Sequence, residues 1–357
     1  MADTRLSLLI SAMENEGIDS LFIARQANIR YMTGFDGDSG HAAAEKTGAH
    51  LFVNPLFVEH ARKSASSGVG IHETGDDMFA VLKALGGVFW GSRAGFEQDV
   101  LTFSIHRRFE EAVKPSIAVP CEAIVECIRE SKEPSEIEAV KKAQRITEKV
   151  YTDVLALLRE GVEEREIALE IDYRMRKLGG ERSSFDTIVA FGANASMPHA
   201  VPTGRKLVAG DFVLIDMGTV VDGYSSDMTR TVVFGRADNL QRKVYHAVLA
   251  AQEEALARMK AGMETAEAYR IAFEVLDREG YAKEFVHSLG HGVGLEVHEI
   301  PRLSWRSNAR LKKGSIVTVE PGVYIPGWGG VRIEDMALIL DGGCENLTWT
   351  DKSLIEI

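Results

Sequence analysis

The segment VLIDMGTVVDGYSSDMTRTVVF, residues 213–234, constrains the fold more than any other stretch of the chain. Its apolar residues read as two strands of a buried sheet joined at Asp222-Gly223, a dipeptide suited to the two positive φ angles of a type I′ turn. Folding about that turn sets Asp216 opposite Thr229 and Gly218 opposite Asp227. Opposed residues share a sheet face, and so do residues two apart. Asp216 and Asp227 therefore point to one face as diagonal neighbours, with Cβ atoms roughly 7–8 Å apart. Burying an isolated charge is very costly, so both carboxylates need cations. Either each takes an arginine, with Arg230 close by, or a metal lies between them.

A second stretch repeats the pattern. SIVTVEPGVYIPGWGGVRIEDMALIL, residues 315–340, has apolar strands on either side of a Gly-rich turn, with Glu320 in one and Glu334 in the other. A hairpin centred near Gly327 opposes the two glutamates directly. Two hairpins, each with a pair of acids on one face, are hard to explain by salt bridges alone. FVHSLGHGVGLEVHEIPR, residues 285–302, adds His287, His291 and His298 among glycines that let backbone and ligand approach closely. The spacing is not that of a helical HExxH zinc site, nor of a G-x-G-x-x-G dinucleotide loop.

Four carboxylates with an imidazole suit two divalent cations, whose charge of +4 matches the acids. Oxygen-rich ligation admits Mn, Co or Fe alongside Zn. Acids that bridge metals about 3.5–4 Å apart hold a water between them and make it a nucleophile at neutral pH, so hydrolysis is the natural reaction class.

Together these residues resemble the metallopeptidase family of prolidases, Xaa-Pro aminopeptidases and methionine aminopeptidases, of the M24 type, with its pita-bread catalytic fold. The matching pieces are SMPHAVPTGRKL, LIDMGTVVDGYSSDMTRT, HSLGHGVGLEVHEIP, VEPGVYIPG and GGVRIEDM, in the family's order across roughly residues 185–340. NIRYMTGFDG is similar to the amino-terminal domain of the proline-specific branch, which methionine aminopeptidases generally lack. The resemblance implies that Asp216, Asp227, His291, Glu320 and Glu334 ligate two metal ions, with Asp227 and Glu334 bridging. It makes Glu320 the proton acceptor for the attacking water and makes His199 and His298 substrate contacts. His287 falls near the proline pocket, and Arg332 and Tyr224 are candidates to support the ligands or substrate. The implied activity is removal of the residue before a proline. An Xaa-Pro aminopeptidase is the first expectation, and a prolidase restricted to dipeptides is the alternative. A non-catalytic binding protein or a metal-free relative such as creatinase is disfavoured by the complete ligand pattern. A dinuclear phosphoesterase is disfavoured by the absence of a basic cluster near the acids.

The rest of the chain frames this site. At 357 residues two domains are expected. Helix and strand signals alternate in the first third and read as a smaller α/β domain over residues 1–128, with no convergent chemistry. Residues 129–357 read as an α+β domain of antiparallel sheet with flanking helices. At its start, RESKEPSEIEAV carries Pro134 and an S-x-x-E capping box at Ser135 and Glu138. Helical stripes follow at 137–154, 164–178, 241–260 and 265–279. Forty-one basic against 53 acidic residues, a net charge of −12, make nucleic acid and anionic lipid poor partners. Three cysteines without a CxxC pair, no signal-peptide pattern and no long apolar run point to a reduced cytoplasmic protein. The resemblance implies a homodimer.

Overall fold

The computed structural model describes residues 2–357. The chain divides into two compact units, Met1–Arg129 and Glu130–Ile357.

The first unit is built on a six-stranded sheet. Strands β1 (Ser20–Ile23), β2 (His41–Glu45), β3 (Gly48–Val53), β4 (Gly70–Glu73), β5 (Arg93–Glu97) and β6 (Ile117–Cys121) take the order β4-β3-β2-β1-β5-β6. The pairs β1–β5, β5–β6 and β3–β4 are parallel, whereas β2 forms antiparallel pairs with both β1 and β3. Six helices accompany the sheet: α1 (Ala2–Asn15), α2 (Gln26–Thr33), α3 (Val58–Ser64), α4 (Met78–Trp90), α5 (Phe103–Val113) and α6 (Ile124–Arg129). Leu9 and Met13 of α1 are buried, and Gly17 reverses the chain after the helix at φ +64°.

In the second unit, α7 (Pro134–Leu155) begins two residues earlier than the Ser135 capping box implies. Proline is favoured in the first turn because its missing N–H has no intrahelical partner there. The residue before it becomes the cap, and Glu136 accepts the Glu133 backbone N–H at 2.7 Å. Helices α8 (Glu164–Lys177), α9 (Asn239–Arg258) and α10 (Thr265–Arg278) follow.

Strands β7 (Ile188–Phe191), β8 (Phe212–Met217), β9 (Val220–Val221), β10 (Tyr224–Ser225) and β11 (Met228–Val233) carry the first acidic hairpin. Asp222 and Gly223 sit at φ 51° and 82°, the two positive angles the turn requires. Asp216 pairs with Thr229, and Val221 with Tyr224, so one register runs through both parts of the hairpin. Along β8 the faces alternate. Val213, Ile215 and Met217 join a core with α7 and α8, whereas Phe212 and Leu214 join one with α9 and α10. Asp216 follows Phe212 and Leu214 in parity, so it points to the second face.

Strands β12 (Gly290–Gly292), β13 (Glu299–Leu303), β14 (Ile316–Val319), β15 (Gly322–Ile325), β16 (Gly329–Arg332), β17 (Asp335–Leu340) and β18 (Gly343–Asn346) complete the unit. Five of them form a sheet in the order β13-β12-β14-β17-β18, and β15 pairs with β16. Val319 opposes Asp335 and Gly322 opposes Arg332. The same register sets Glu320 across from Glu334, at the gap between the two ladders. No helix among the described residues is long and apolar enough to cross a membrane.

Candidate active site

Three of the four acids lie where regular pairing stops, whereas Asp216 sits within β8. Asp227 sits between β10 and β11, Glu320 between β14 and β15, and Glu334 between β16 and β17. A carboxylate inside a ladder points along a fixed normal, whereas one at a break can turn toward a shared centre. Close backbone contact keeps the breaks tight. A Cβ on Gly218 would lie 2.0 Å from the Ser226 carbonyl oxygen, and one on Gly290 would lie 2.0 Å from that of Thr318.

Asp227, His291 and Glu334 place one ligand atom each within 4.8 Å of one another. His291 Nε2 is 3.3 Å from Glu320 Oε1 and 3.7 Å from Asp227 Oδ2. Its Nδ1 is 3.0 Å from the Gly292 carbonyl oxygen, which assigns the proton to Nδ1 and frees the Nε2 lone pair for a metal. Threonines orient two of the acids: Thr229 donates to Glu334 Oε2 at 2.7 Å and Thr318 to Glu320 Oε1 at 3.1 Å.

Asp216 is held differently. Its Oδ2 lies 2.7 Å from Arg332 Nη2, while its Oδ1 is buried with no hydrogen-bond partner. The arginine alternative thus applies to Asp216, through Arg332. Arg230 instead pairs with Asp335 at 2.8 Å and donates to the Glu334 carbonyl at 2.6 Å. Arg332 also donates to Thr229 Oγ1 at 3.0 Å, to the Tyr324 hydroxyl at 2.7 Å and to the Pro198 carbonyl at 3.3 Å. Its guanidinium thus links Asp216 to Thr229, Tyr324 and Pro198, as a residue supporting the site would.

Charge balance supplies the fit test. Asp216, Asp227, Glu320 and Glu334 converge, and among the described residues Arg332 is the one arginine or lysine within hydrogen-bond distance of any of their carboxylates. Burial and the neighbouring acids push Asp227 and Glu334 well above the carboxylate range, and burial with Asp216 pushes Glu320 up to about 8. Burial, with His298 alongside, pushes His291 down to about 4, so its imidazole is neutral. Four acids, one neutral imidazole and an orphaned buried oxygen form a donor set that fits divalent cations.

The histidines divide by exposure. His298 and His199 are exposed, and the His298 ring centroid lies 4.3 Å from that of His291. His199 follows Pro198, whose carbonyl Arg332 tethers. His287 is half-buried with both nitrogens engaged, Nδ1 at 2.7 Å from the Ser288 carbonyl and Nε2 at 2.9 Å from the Tyr324 hydroxyl. Burial and Arg332 push it down to about 4, so it accepts from Tyr324, which accepts from Arg332. Tyr224 donates to Glu136 at the start of α7, not to a ligand. Thr229, Thr318 and Tyr324 escape the sequence reading. For Thr229 the signal existed, since the turn register sets it opposite Asp216.

A family model for metallopeptidase family M24 matches residues 138–341, and one for the creatinase/prolidase N-terminal domain matches residues 5–131. The Xaa-Pro dipeptidase of Pyrococcus furiosus is 36% identical over 352 residues, covering 98% of this chain and 99% of its own. The structure of an Xaa-Pro dipeptidase from Bacillus anthracis matches with a TM-score of 0.96 at 37% identity, covering 100% of both chains. That of an X-Pro aminopeptidase from Thermotoga maritima MSB8 matches with a TM-score of 0.90 at 32% identity, covering 97% of this chain and 100% of the other. The chain belongs to metallopeptidase family M24 and is a metal-dependent peptidase of the two-domain pita-bread type.

Proposed function

We propose that the protein is an Xaa-Pro dipeptidase whose site holds two divalent cations, with manganese the best match to its oxygen-rich donors. The observation that carries the substrate class is likeness over the whole length, both domains included, to proteins named Xaa-Pro dipeptidase. These relatives favour the dipeptidase over the aminopeptidase that the sequence reading puts first. The Thermotoga X-Pro aminopeptidase keeps that second reading in play.

Asp216, Asp227, His291, Glu320 and Glu334 would hold the cations. When bound, the cations supply Lewis acidity toward the scissile carbonyl and acidify water. Glu320, oriented by Thr318 beside His291, accepts the proton from the attacking water. His199 and His298, exposed at the rim, donate to the carbonyl oxygen as negative charge develops on it. A peptide bond to proline has no N–H for a protease to engage, so recognition falls on the ring. His287, kept neutral and fixed by Tyr324, offers that ring an uncharged wall.

The test compares Ala-Pro with Ala-Pro-Ala on the manganese-loaded protein. A dipeptidase should favour Ala-Pro in kcat/KM by about tenfold or more, a difference of at least ~1.4 kcal/mol in transition-state binding. Equal or faster cleavage of the tripeptide makes the protein an aminopeptidase. Cleavage of neither ends the proposal.

A further inference from the structure

The stretch RESKEPSEIEAV takes part in no step described above, yet it contains Lys132, the only buried lysine among the described residues. Its side chain is 1% exposed, and its Nζ lies 3.0 Å from Glu299 Oε2, on a side chain 5% exposed. The ammonium also donates to the Glu130 carbonyl at 3.2 Å, and the Lys132 backbone N–H donates to the Gly314 carbonyl at 2.9 Å. Lys132 is thus anchored at backbone and side chain.

Glu299 stands immediately after His298. Its Oε1 accepts the Glu296 N–H at 3.1 Å, closing the irregular segment that presents His298. The carboxylate packs on Gly294, where a Cβ would lie 2.6 Å from Oε1 and 2.7 Å from Oε2. The Gly294 carbonyl in turn accepts the Ser225 N–H at 2.8 Å. Glu299 also pairs with Gly292 across a break in register that falls between His291 and Gly292. One bulge therefore sets both the ligand His291 and the start of the strand beyond His298. Bulges re-aim side chains next to active sites.

A buried ion pair is a poor device for stability, because desolvation offsets its attraction and an apolar pair of similar volume serves as well. What a charged pair adds is a fixed geometry. We propose that Lys132 and Glu299 are positioning residues that hold His298 beside His291 for the peptidase reaction. This rests on His298 contacting the substrate, as in the reading above.

The test uses the full chain loaded with manganese, with Ala-Pro as substrate. Parent, Lys132→Met, Glu299→Gln, His298→Ala and the double variant Lys132→Met/His298→Ala are compared for kcat, KM, manganese content and melting temperature. Lys132→Met should lower kcat by about ten- to a hundredfold, as misplacing a catalytic group does. Its KM should change less than kcat, and its manganese content should match the parent. The double variant should be no slower than His298→Ala, because a residue that acts only through His298 has nothing left to act on. Parental kcat in folded Lys132→Met overturns the proposal, and so does a double variant that multiplies the two losses. Parental kcat in His298→Ala overturns it as well, by removing the group being positioned. If Lys132→Met does not fold, Glu299→Gln, which keeps the shape of the side chain, carries the same comparison. Failure of both to fold makes the pair a structural element and overturns the proposal. A parent protein that leaves Ala-Pro intact refutes the dipeptidase reading instead.

Discussion

Asp216 has one carboxylate oxygen against Arg332 and the other buried with no protein partner. A single guanidinium offsets one negative charge of four, so the remaining acids either keep protons or bind cations. That choice gives the site a definite pH dependence. In the metal-free protein Glu320 titrates near 8 against an ordinary 4.5, and Asp227 and Glu334 are raised too. Between those limits the folded state binds more protons than the unfolded chain, so its stability falls as pH rises. His287 and His291, at about 4 against 6.5, give the opposite slope below pH 6.5. Three raised acids outweigh two depressed histidines, so the melting temperature of chelated protein should fall from about pH 5 toward pH 9 and more steeply above pH 6.5, while metal-loaded protein should not show the alkaline drop. A flat or rising alkaline limb after chelation would count against the protonated cluster. Manganese affinity, measured by titration calorimetry, should weaken as pH falls from 9 to 6, since cations compete with those protons. His291→Ala removes the one nitrogen donor of the proposed set, and its manganese content by elemental analysis should fall by about half or more. Full retention would refute His291 as a ligand.

At the scale of elements, each hairpin delivers at least one acid at a break in pairing, Asp227 in the first and Glu320 with Glu334 in the second, and backbone contact keeps the break narrow. Gly218→Ala would drive a Cβ into the Ser226 carbonyl, 2.0 Å away, beside Asp227. The variant should lose about 1–3 kcal/mol of stability, typical of overpacking, and bind manganese more weakly than the parent. Unchanged metal affinity would mean that Asp227 does not depend on the break. The register of both hairpins was legible from turn chemistry, because Asp222-Gly223 and the Gly-rich segment around Gly327 fix which residues oppose. The four helical stripes of the second unit were legible for the same local reason. Strand β12 was not, because three residues, Gly290–Gly292, carry no alternation to read, although His291 sits at its centre. The Asp216–Arg332 pair was equally hidden, since two hairpins distant in sequence meet only after folding.

For the whole molecule, folding buries a cluster of acids that hold protons until cations displace them. Ligands that bind only the folded state stabilise it by mass action, about 3–4 kcal/mol at a hundred to a thousand times Kd. With ~2–4 °C per kcal/mol for a domain of this size, chelation should lower the melting temperature of the second unit by roughly 5–15 °C. A differential scan of loaded and chelated protein measures this, and identical curves would exclude a cation-dependent site. The first unit was legible as an α/β fold from alternating signals, but the antiparallel pairing of β2 with both β1 and β3 in a sheet whose other pairs are parallel was not, because strand direction depends on distant partners. Most direct is a titration of chelated protein with manganese, following Ala-Pro hydrolysis against bound metal per chain. Activity should be absent without metal and should rise to a plateau as two equivalents bind. Full hydrolysis by protein shown to hold no metal would contradict the site built here from Asp216, Asp227, His291, Glu320 and Glu334.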